Sequence, residues 1–254
     1  GENCVNHLRG MFAFVIWDQR KKKLFGARDH LGIKPFYFYQ DNHKFVWGSE
    51  IKAVKSSGDI ETNLCLKSLD QYMTYGHMLK KESIYKEIKK LEPGTSFVIE
   101  PFKSSEVKFK KFWVLENKPD YTKTRSDFHE EIRNELEHSI KLQMISDVPL
   151  GAFLSGGVDS SSVVAMMSGI SDRPIKTFSI GFKEQEFDET KYAKLVAKKF
   201  NTDHHEMIVE PESIDLLPEL VNLFDEPFAD SSAVPMYYLS KFAREHVTVA
   251  LSGD

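Results

Sequence analysis

The chain has little cysteine, no long apolar run and little net charge, and each shortage narrows what it can be. Only two cysteines, Cys4 and Cys65, stand among 254 residues. They make neither a metal-ligand spacing nor a disulfide framework, which points to a reducing cytoplasmic setting. No apolar stretch approaches the length that a bilayer-spanning helix needs, and no secretory segment opens the sequence, so no membrane partner is expected. A formal net charge of -4 argues against a nucleic-acid partner. The basic run Lys21-Lys22-Lys23 reads as a solvated turn between two strands. Internal repeats and low-complexity tracts are lacking. What is present, 41% hydrophobic and 28% charged residues, suffices for one large or two modest globular domains.

The two halves differ in periodicity. Met11-Phe12-Ala13-Phe14-Val15-Ile16-Trp17 is a short apolar run ended by Asp18, as in a strand buried on both faces. Segments 24–28, 36–39, 44–48 and 95–99 are similar, separated by Asp29, Gly32, Pro35, Asp41-Asn42 and Pro93-Gly94. Helical pattern in this half is confined to 51–56 and 66–73. Residues 116–125, polar and containing Pro119, form the best linker candidate. Beyond them Phe128, Ile132, Leu136, Ile140 and Met144 recur every four residues, the stripe of an amphipathic helix. Ser126 is its expected N-cap, with Asp127, Glu130 and Glu131 at its positive end. Strands at 148–154, 175–180, 205–209 and 247–251 then alternate with helices at 160–168, 189–200, near Leu216 and at 234–244. The expected fold class is α+β followed by α/β, the latter a parallel sheet with ligands at the carboxyl ends of its strands.

At one such end Ala152-Phe153-Leu154 runs straight into Ser155-Gly156-Gly157-Val158-Asp159-Ser160. Two glycines let backbone N–H groups turn inward into a concave nest that receives an anion. The helix starting near Ser160 adds unpaired N–H groups and a positive dipole end. Ser155 and Ser160 offer hydroxyls to phosphate oxygens. Asp159 would repel phosphate, so its sensible role is to hold Mg²⁺ that neutralises a polyphosphate. A two-glycine turn alone is often only a tight connection; the full string in this context is far more specific. It lacks the Gly-Lys-Ser or Gly-Lys-Thr of a Walker A loop, so the chemistry need not be γ-phosphoryl transfer.

The string resembles the pyrophosphate loop of N-type ATP pyrophosphatases, which cleave ATP between the α and β phosphates and leave an adenylate. Val148-Pro149-Leu150-Gly151-Ala152-Phe153-Leu154, Thr177-Phe178-Ser179-Ile180-Gly181-Phe182 and Leu251-Ser252-Gly253-Asp254 resemble glutamine-dependent asparagine synthetases. Arg9-Gly10-Met11-Phe12-Ala13-Phe14, Arg28-Asp29-His30-Leu31-Gly32-Ile33-Lys34-Pro35-Phe36-Tyr37 and Gly48-Ser49-Glu50-Ile51-Lys52-Ala53 resemble the later part of that family's glutaminase domain. The resemblance runs through essentially the whole chain in the family's order. It implies the C-terminal part of an Ntn-type αββα glutamine amidotransferase domain at 1–115, a linker at 116–125, and the start of a parallel-sheet ATP-pyrophosphatase domain at 126–254. It also implies ATP as substrate, Mg²⁺ as cofactor, and aspartate with glutamine or ammonia as the other small-molecule partners; a homodimer is compatible with it. Carried over residue by residue, Leu154 and Ile180 border the adenosine. Ser155, Gly156, Gly157, Asp159 and Ser160 hold the phosphates, with Asp159 on the metal. Ser252 and Gly253 approach the nucleotide, and Asp254 takes the acidic position tied to forming the β-aspartyl adenylate. Ile180 reads equally well as plain core, and Asp254 as a carboxylate with no such role. The carboxylates of Asp225-Glu226-Pro227-Phe228-Ala229-Asp230-Ser231-Ser232 stay open between a substrate pocket and a cap for the next helix. His204 and His205 are read as structural.

Two departures from the family follow. The family's glutaminase nucleophile is a cysteine at the mature N-terminus, whereas residue 1 is glycine and Cys4 falls where relatives have helix. Relatives also continue past Ser252-Gly253-Asp254 into a second metal ligand and a catalytic lysine. The expectation is the middle piece of a longer asparagine synthetase, in which ATP turns the aspartate side-chain carboxylate into an adenylate and ammonia displaces AMP. The alternatives are a relative that amidates another carboxylate or closes a β-lactam, and a non-catalytic nucleotide-binding protein. The purified 254-residue chain should release no glutamate from glutamine. Glutamate release that Cys4→Ala abolishes would overturn that expectation.

Overall fold

The turn residues of the first half fold short strands back on one another. After a 3₁₀ helix at Glu2–His7 come β1 (Ala13–Asp18), β2 (Lys23–Arg28), β3 (Tyr37–Gln40), β4 (Phe45–Gly48), α1 (Ile51–Lys55), α2 (Leu66–Tyr75), β5 (Ile88–Lys90), β6 (Thr95–Ile99) and β7 (Val107–Lys111). The computed structural model describes every residue except 59, 80, 105, 183–188, 210–212 and 254, and only the backbone of 213–215. Antiparallel pairing builds two sheets, ordered β1-β2-β6-β7 and β4-β3-β5. Phe97 of β6 and Phe45 of β4 stand 5.1 Å apart between ring centres, amid Phe36, Leu91, Ile99 and Val107. The two sheets therefore share one aromatic-rich core. The first sheet's other face packs Phe25 and Ala27 against Val5 and Cys4 of the 3₁₀ helix. On the second sheet, Ile88 packs against Ile51 and Val54 of α1.

Two strands escaped the sequence reading, β5 and β7. Both are lysine-rich, β7 mostly solvent-facing and β5 only three residues long, so neither shows a clear apolar alternation; they exist by pairing with β3 and β6. The basic run divides as well. Lys21 and Lys22 lie in the turn after β1, where Asp18 accepts from the N–H groups of Arg20 and Lys21 at 3.0 and 2.9 Å. Lys23 instead opens β2 and pairs with Glu100 at 2.8 Å.

In the second half, α3 (Arg125–Gln143), β8 (Leu150–Phe153), α4 (Val158–Ile170), β9 (Lys176–Phe182), α5 (Thr190–Phe200), β10 (Asp203–Val209), α6 (Ser213–Phe224), α7 (Ala233–Arg244) and β11 (Val249–Leu251) follow. The expected N-cap at Ser126 is corrected. Thr124 caps α3, accepting from the Asp127 N–H at 3.3 Å, while the Asp127 carboxylate takes the Thr124 N–H at 2.7 Å. This reciprocal pair satisfies two orphan donors, which a serine two residues further in cannot do. The apolar stripe is used over half its length. Leu136, Ile140 and Met144 enter the core with Val163, Val164 and Met167 of α4, whereas Ile132 is 62% exposed.

All pairings among β8 to β11 are parallel, in the order β10-β9-β8-β11. The chain steps outward from β8 to β9 to β10, then returns to lay β11 on the other side of β8. That reversal makes a topological switch point between β8 and β11. The residues divide into two compact units, Gly1–Lys118 with Pro218–Asp230, and Pro119–Leu217 with Ser231–Asp254. The break inside α6 falls at Pro218, which lacks the N–H that would continue the helix ladder.

One buried carboxylate organises the turn after β2. Asp29 is 1% exposed, and its two oxygens accept from the N–H groups of Phe12, Leu31, Ile33 and Lys34 at 3.0–3.3 Å. Burial pushes its pKa up, but these backbone donors outweigh that and hold the carboxyl below its usual range. Its contribution to stability is therefore complete above an unfolded-chain pKa near 3.8 and is lost as pH falls through the lower folded value. Asp29→Asn sets an amide NH₂ against N–H donors. It should cost roughly 2–3 kcal/mol in denaturant unfolding and flatten the acid limb of the stability profile.

Candidate functional site at the parallel strand ends

A cavity of about 340 Å³ opens where β8, β9 and β11 end, all within the second unit. Leu154, Ser155, Gly157, Asp159 and Ser160 reach it from β8 and α4, Ile180 from β9, and Ser252 and Gly253 from β11. Five of the six expected positions after β8 and the expected positions after β9 and β11 are thus brought to one place, with Gly156, the sixth, in the loop itself; Asp254 lies outside the described residues. Phe153, Phe178, Phe182, Met236 and Leu239 make the apolar part of the lining. Ile180, left open between core and cavity wall, is half-buried and lines the cavity.

The loop keeps its shape through its own hydroxyls and through two close backbone approaches. Ser155 Oγ and Ser160 Oγ lie 2.9 Å apart, the Gly157 N–H donates to Ser155 Oγ at 3.2 Å, and the Ser155 N–H donates to Ser160 Oγ at 3.3 Å. Gly156 has φ +85°, and a Cβ there would lie 2.5 Å from Tyr192 Cβ and 2.6 Å from the Ala193 N of α5. A Cβ on Gly253 would lie 2.5 Å from the Ser160 N of α4. Gly157 is the N-cap of α4 and offers no side-chain cap, so the first turn of α4 brings uncapped N–H groups to the loop. Asp159, in that first turn, is exposed and lines the cavity.

Several lining residues were not foreseen, Ser179, Glu189, Thr190 and Met236, whereas Ser232 closes the 225–232 stretch that the resemblance sets near a substrate pocket. Ser179 neighbours Ile180, but nothing in its strand marks which face it serves. The others begin α5 and α7, and only the packing of those helices on the sheet brings them in. Of the three carboxylates left open in the 225–232 stretch, Asp225 and Glu226 are engaged by groups of the first unit. Within the first unit Glu226 pairs with Lys90 at 2.7 Å and accepts from the Tyr37 hydroxyl at 3.1 Å and the Ile84 N–H at 3.0 Å. Asp225 takes the Lys52 N–H and ammonium at 3.2 and 3.3 Å. Burial, with the Glu226 carboxylate beside it, pushes the Tyr37 phenol up. His204 bonds Thr177 Oγ1 at 2.9 Å and His205 stacks on Phe178 and His246; neither histidine lines the cavity.

A doubly wound parallel sheet with a glycine loop at its switch point defines an α/β domain of the ligand-binding kind, here in one chain with an antiparallel two-sheet unit. Comparison with known proteins agrees: residues 1–113 match the glutamine amidotransferase domain family and residues 131–254 the asparagine synthase family. The chain is 38% identical over 255 residues to asparagine synthetase (glutamine-hydrolyzing) 1 of Bacillus subtilis, covering all of this chain and 39% of that protein. It is 40% identical over 259 residues to putative asparagine synthetase (glutamine-hydrolyzing) 2 of Methanocaldococcus jannaschii, covering all of this chain and 50% of that protein. Its two halves thus match a glutamine amidotransferase and an asparagine synthase domain, the whole chain is similar to glutamine-hydrolysing asparagine synthetases, and it spans half or less of the length of these curated relatives.

The two loop glycines should respond differently to a methyl group. Gly156→Ala forces a left-handed φ and a backbone clash, and should lower stability by about 1–3 kcal/mol. At Gly157 the nearest neighbour of a Cβ is Ser155 Oγ at 3.3 Å, so Gly157→Ala should cost much less. Thermal melts of the pair check the contrast, and equal losses would contradict it.

Proposed function

We propose that this chain is the central part of a glutamine-hydrolysing asparagine synthetase and that its cavity binds ATP. The observation that carries the reading is the convergence of three parallel strand ends, with the Ser155 to Ser160 loop and the α4 N-terminus, on one cavity. The loop's N–H groups suit phosphate oxygens, and the apolar wall of Leu154, Phe178, Ile180 and Met236 suits a purine. Ser252 and Gly253 close the other side. In the intact protein an aspartate side-chain oxygen attacks the α-phosphorus and pyrophosphate leaves. Ammonia from glutamine then attacks the acyl carbon and AMP departs. Asp254 is proposed for the adenylate-forming step on family grounds alone.

A divalent cation fits the residues present. Among the described residues no cluster of three or more His, Cys, Asp or Glu could hold a metal, but Asp159 puts one exposed carboxylate on the cavity wall. One carboxylate plus phosphate and water oxygens is a usual Mg²⁺ environment. When bound, Mg²⁺ would neutralise charge on the leaving pyrophosphate.

The proposed domain division is 1–115 for the glutaminase part, 116–125 as linker and 126–254 for the ATP-pyrophosphatase part. The two sheets sharing a core, with helices against their other faces, support the Ntn-type αββα reading of the first part. The absence of any described helix long and apolar enough to cross a membrane is compatible with the proposed cytoplasmic setting. Homodimerisation remains a proposal from the family resemblance.

Asp159→Asn keeps the side-chain size and removes its charge. In the full-length protein it should reduce aspartate-dependent pyrophosphate release by roughly 10²-fold or more while largely sparing glutamine hydrolysis. Near-normal pyrophosphate release would remove Asp159 from the mechanism.

A further inference from the structure

Ser179 is almost fully buried on β9, one residue before Ile180, and it lines the cavity. The role proposed for the cavity does not yet use it. Along a strand, the backbone groups of residues two apart point to the same neighbouring strand. The Leu154 N–H donates to the Phe178 carbonyl at 2.9 Å, so Phe178 turns its backbone toward β8. Ile180, two residues on, turns its N–H to that same side, where β8 has ended and the cavity begins. In a regular parallel ladder the next rung would run from the Ile180 N–H to the Leu154 carbonyl. Here the Leu154 carbonyl accepts from the Ser179 hydroxyl. Leu154 is 1% exposed, so its carbonyl depends on a protein donor.

We infer that Ser179 is a positioning residue for the nucleotide base: its hydroxyl occupies the Leu154 carbonyl and so leaves the Ile180 amide, on the cavity wall, to a ring acceptor of the bound purine. This rests on the proposed reading of the cavity as a nucleotide site. With Ser179→Ala the Leu154 carbonyl is left beside the Ile180 amide as the donor in ladder register. The rung closes, and the ligand loses its partner. A serine that merely satisfied its own hydroxyl would, when lost, weaken all nucleotides alike. A serine that holds the rung open affects only ligands carrying the acceptor.

The test is equilibrium binding of ATP and of 1-deaza-, 3-deaza- and 7-deaza-ATP to the full-length protein, its Ser179→Ala variant and its Ser179→Thr variant. The wild type should bind one deaza analogue about tenfold more weakly than ATP, the loss expected for one hydrogen bond of about 1.4 kcal/mol. Ser179→Ala should weaken ATP by a similar factor and erase the difference between ATP and that analogue. Ser179→Thr, which keeps the hydroxyl, should restore it. Unchanged ATP binding by Ser179→Ala, uniform weakening of every nucleotide, a wild type indifferent to all three analogues, or no rescue by threonine each overturns the role of Ser179. A folded wild type that binds none of the four nucleotides overturns the nucleotide reading itself, and is thereby told apart from failure of the serine alone.

Discussion

Backbone packed directly on backbone gives the second unit its cavity. The loop after β8 is held between the first turn of α5, which abuts Gly156, and the turn after β11, where Gly253 abuts the first turn of α4. Both contacts leave no room for a Cβ, so the loop can lie this close to its neighbours only where glycine stands. The close approach follows in turn from topology. β8 is an interior strand, flanked by β9 and β11 in parallel register, and its carboxyl end is therefore bordered by two others. Because all three ends point the same way, side chains from residues about a hundred positions apart share one wall.

The first unit relies on a different device, buried or half-buried charged groups whose partners are backbone groups, an opposite charge or a hydroxyl. Arg28 donates to the carbonyls of Gly32, Lys34 and Leu91 at 2.6–2.7 Å while Asp29 gathers four N–H groups. Together they tie the turn after β2 to the strands around it. Glu226, whose side chain is 9% exposed, does the same for the Pro218–Asp230 segment through Lys90, Tyr37 and Ile84. Leaving a buried charge without such partners would cost several kcal/mol, which is why these groups appear in complete sets. Asp225 and Glu226 are thus committed to lysines of the first unit, and among the described residues Asp159 and Glu189 are the carboxylates on the cavity wall of the second.

Local pattern was legible where local chemistry decides. The 95–99 strand was read with its observed bounds, and the strand-to-helix alternation after residue 144 appears as four parallel strands with intervening helices. Legibility failed where a partner decides. β5 and β7 have the composition of lysine-rich turns and become strands only because β3 and β6 offer them edges. The α3 cap was misplaced by two residues because Ser126 and Thr124 are equally good caps in isolation, and only Thr124 has an acid three residues on. The exposed half of the α3 stripe shows that apolar periodicity identifies a helix without saying how much of it a given core will cover.

By itself the sequence determined the glycine loop, its place between a strand and a helix, and the order of elements that makes a parallel sheet. These depend on residues adjacent in the chain, whose φ preferences and hydrogen-bonding groups act at short range. Only the tertiary structure decided that Ile180, Ser252 and Gly253 stand opposite the loop, and that Ser179 takes the Leu154 carbonyl. It also decided that Glu226 belongs with Lys90. Each of those relations joins groups separated by tens of residues or more. It is created by strand order and register, which emerge when the whole sheet buries its faces rather than from any window of sequence.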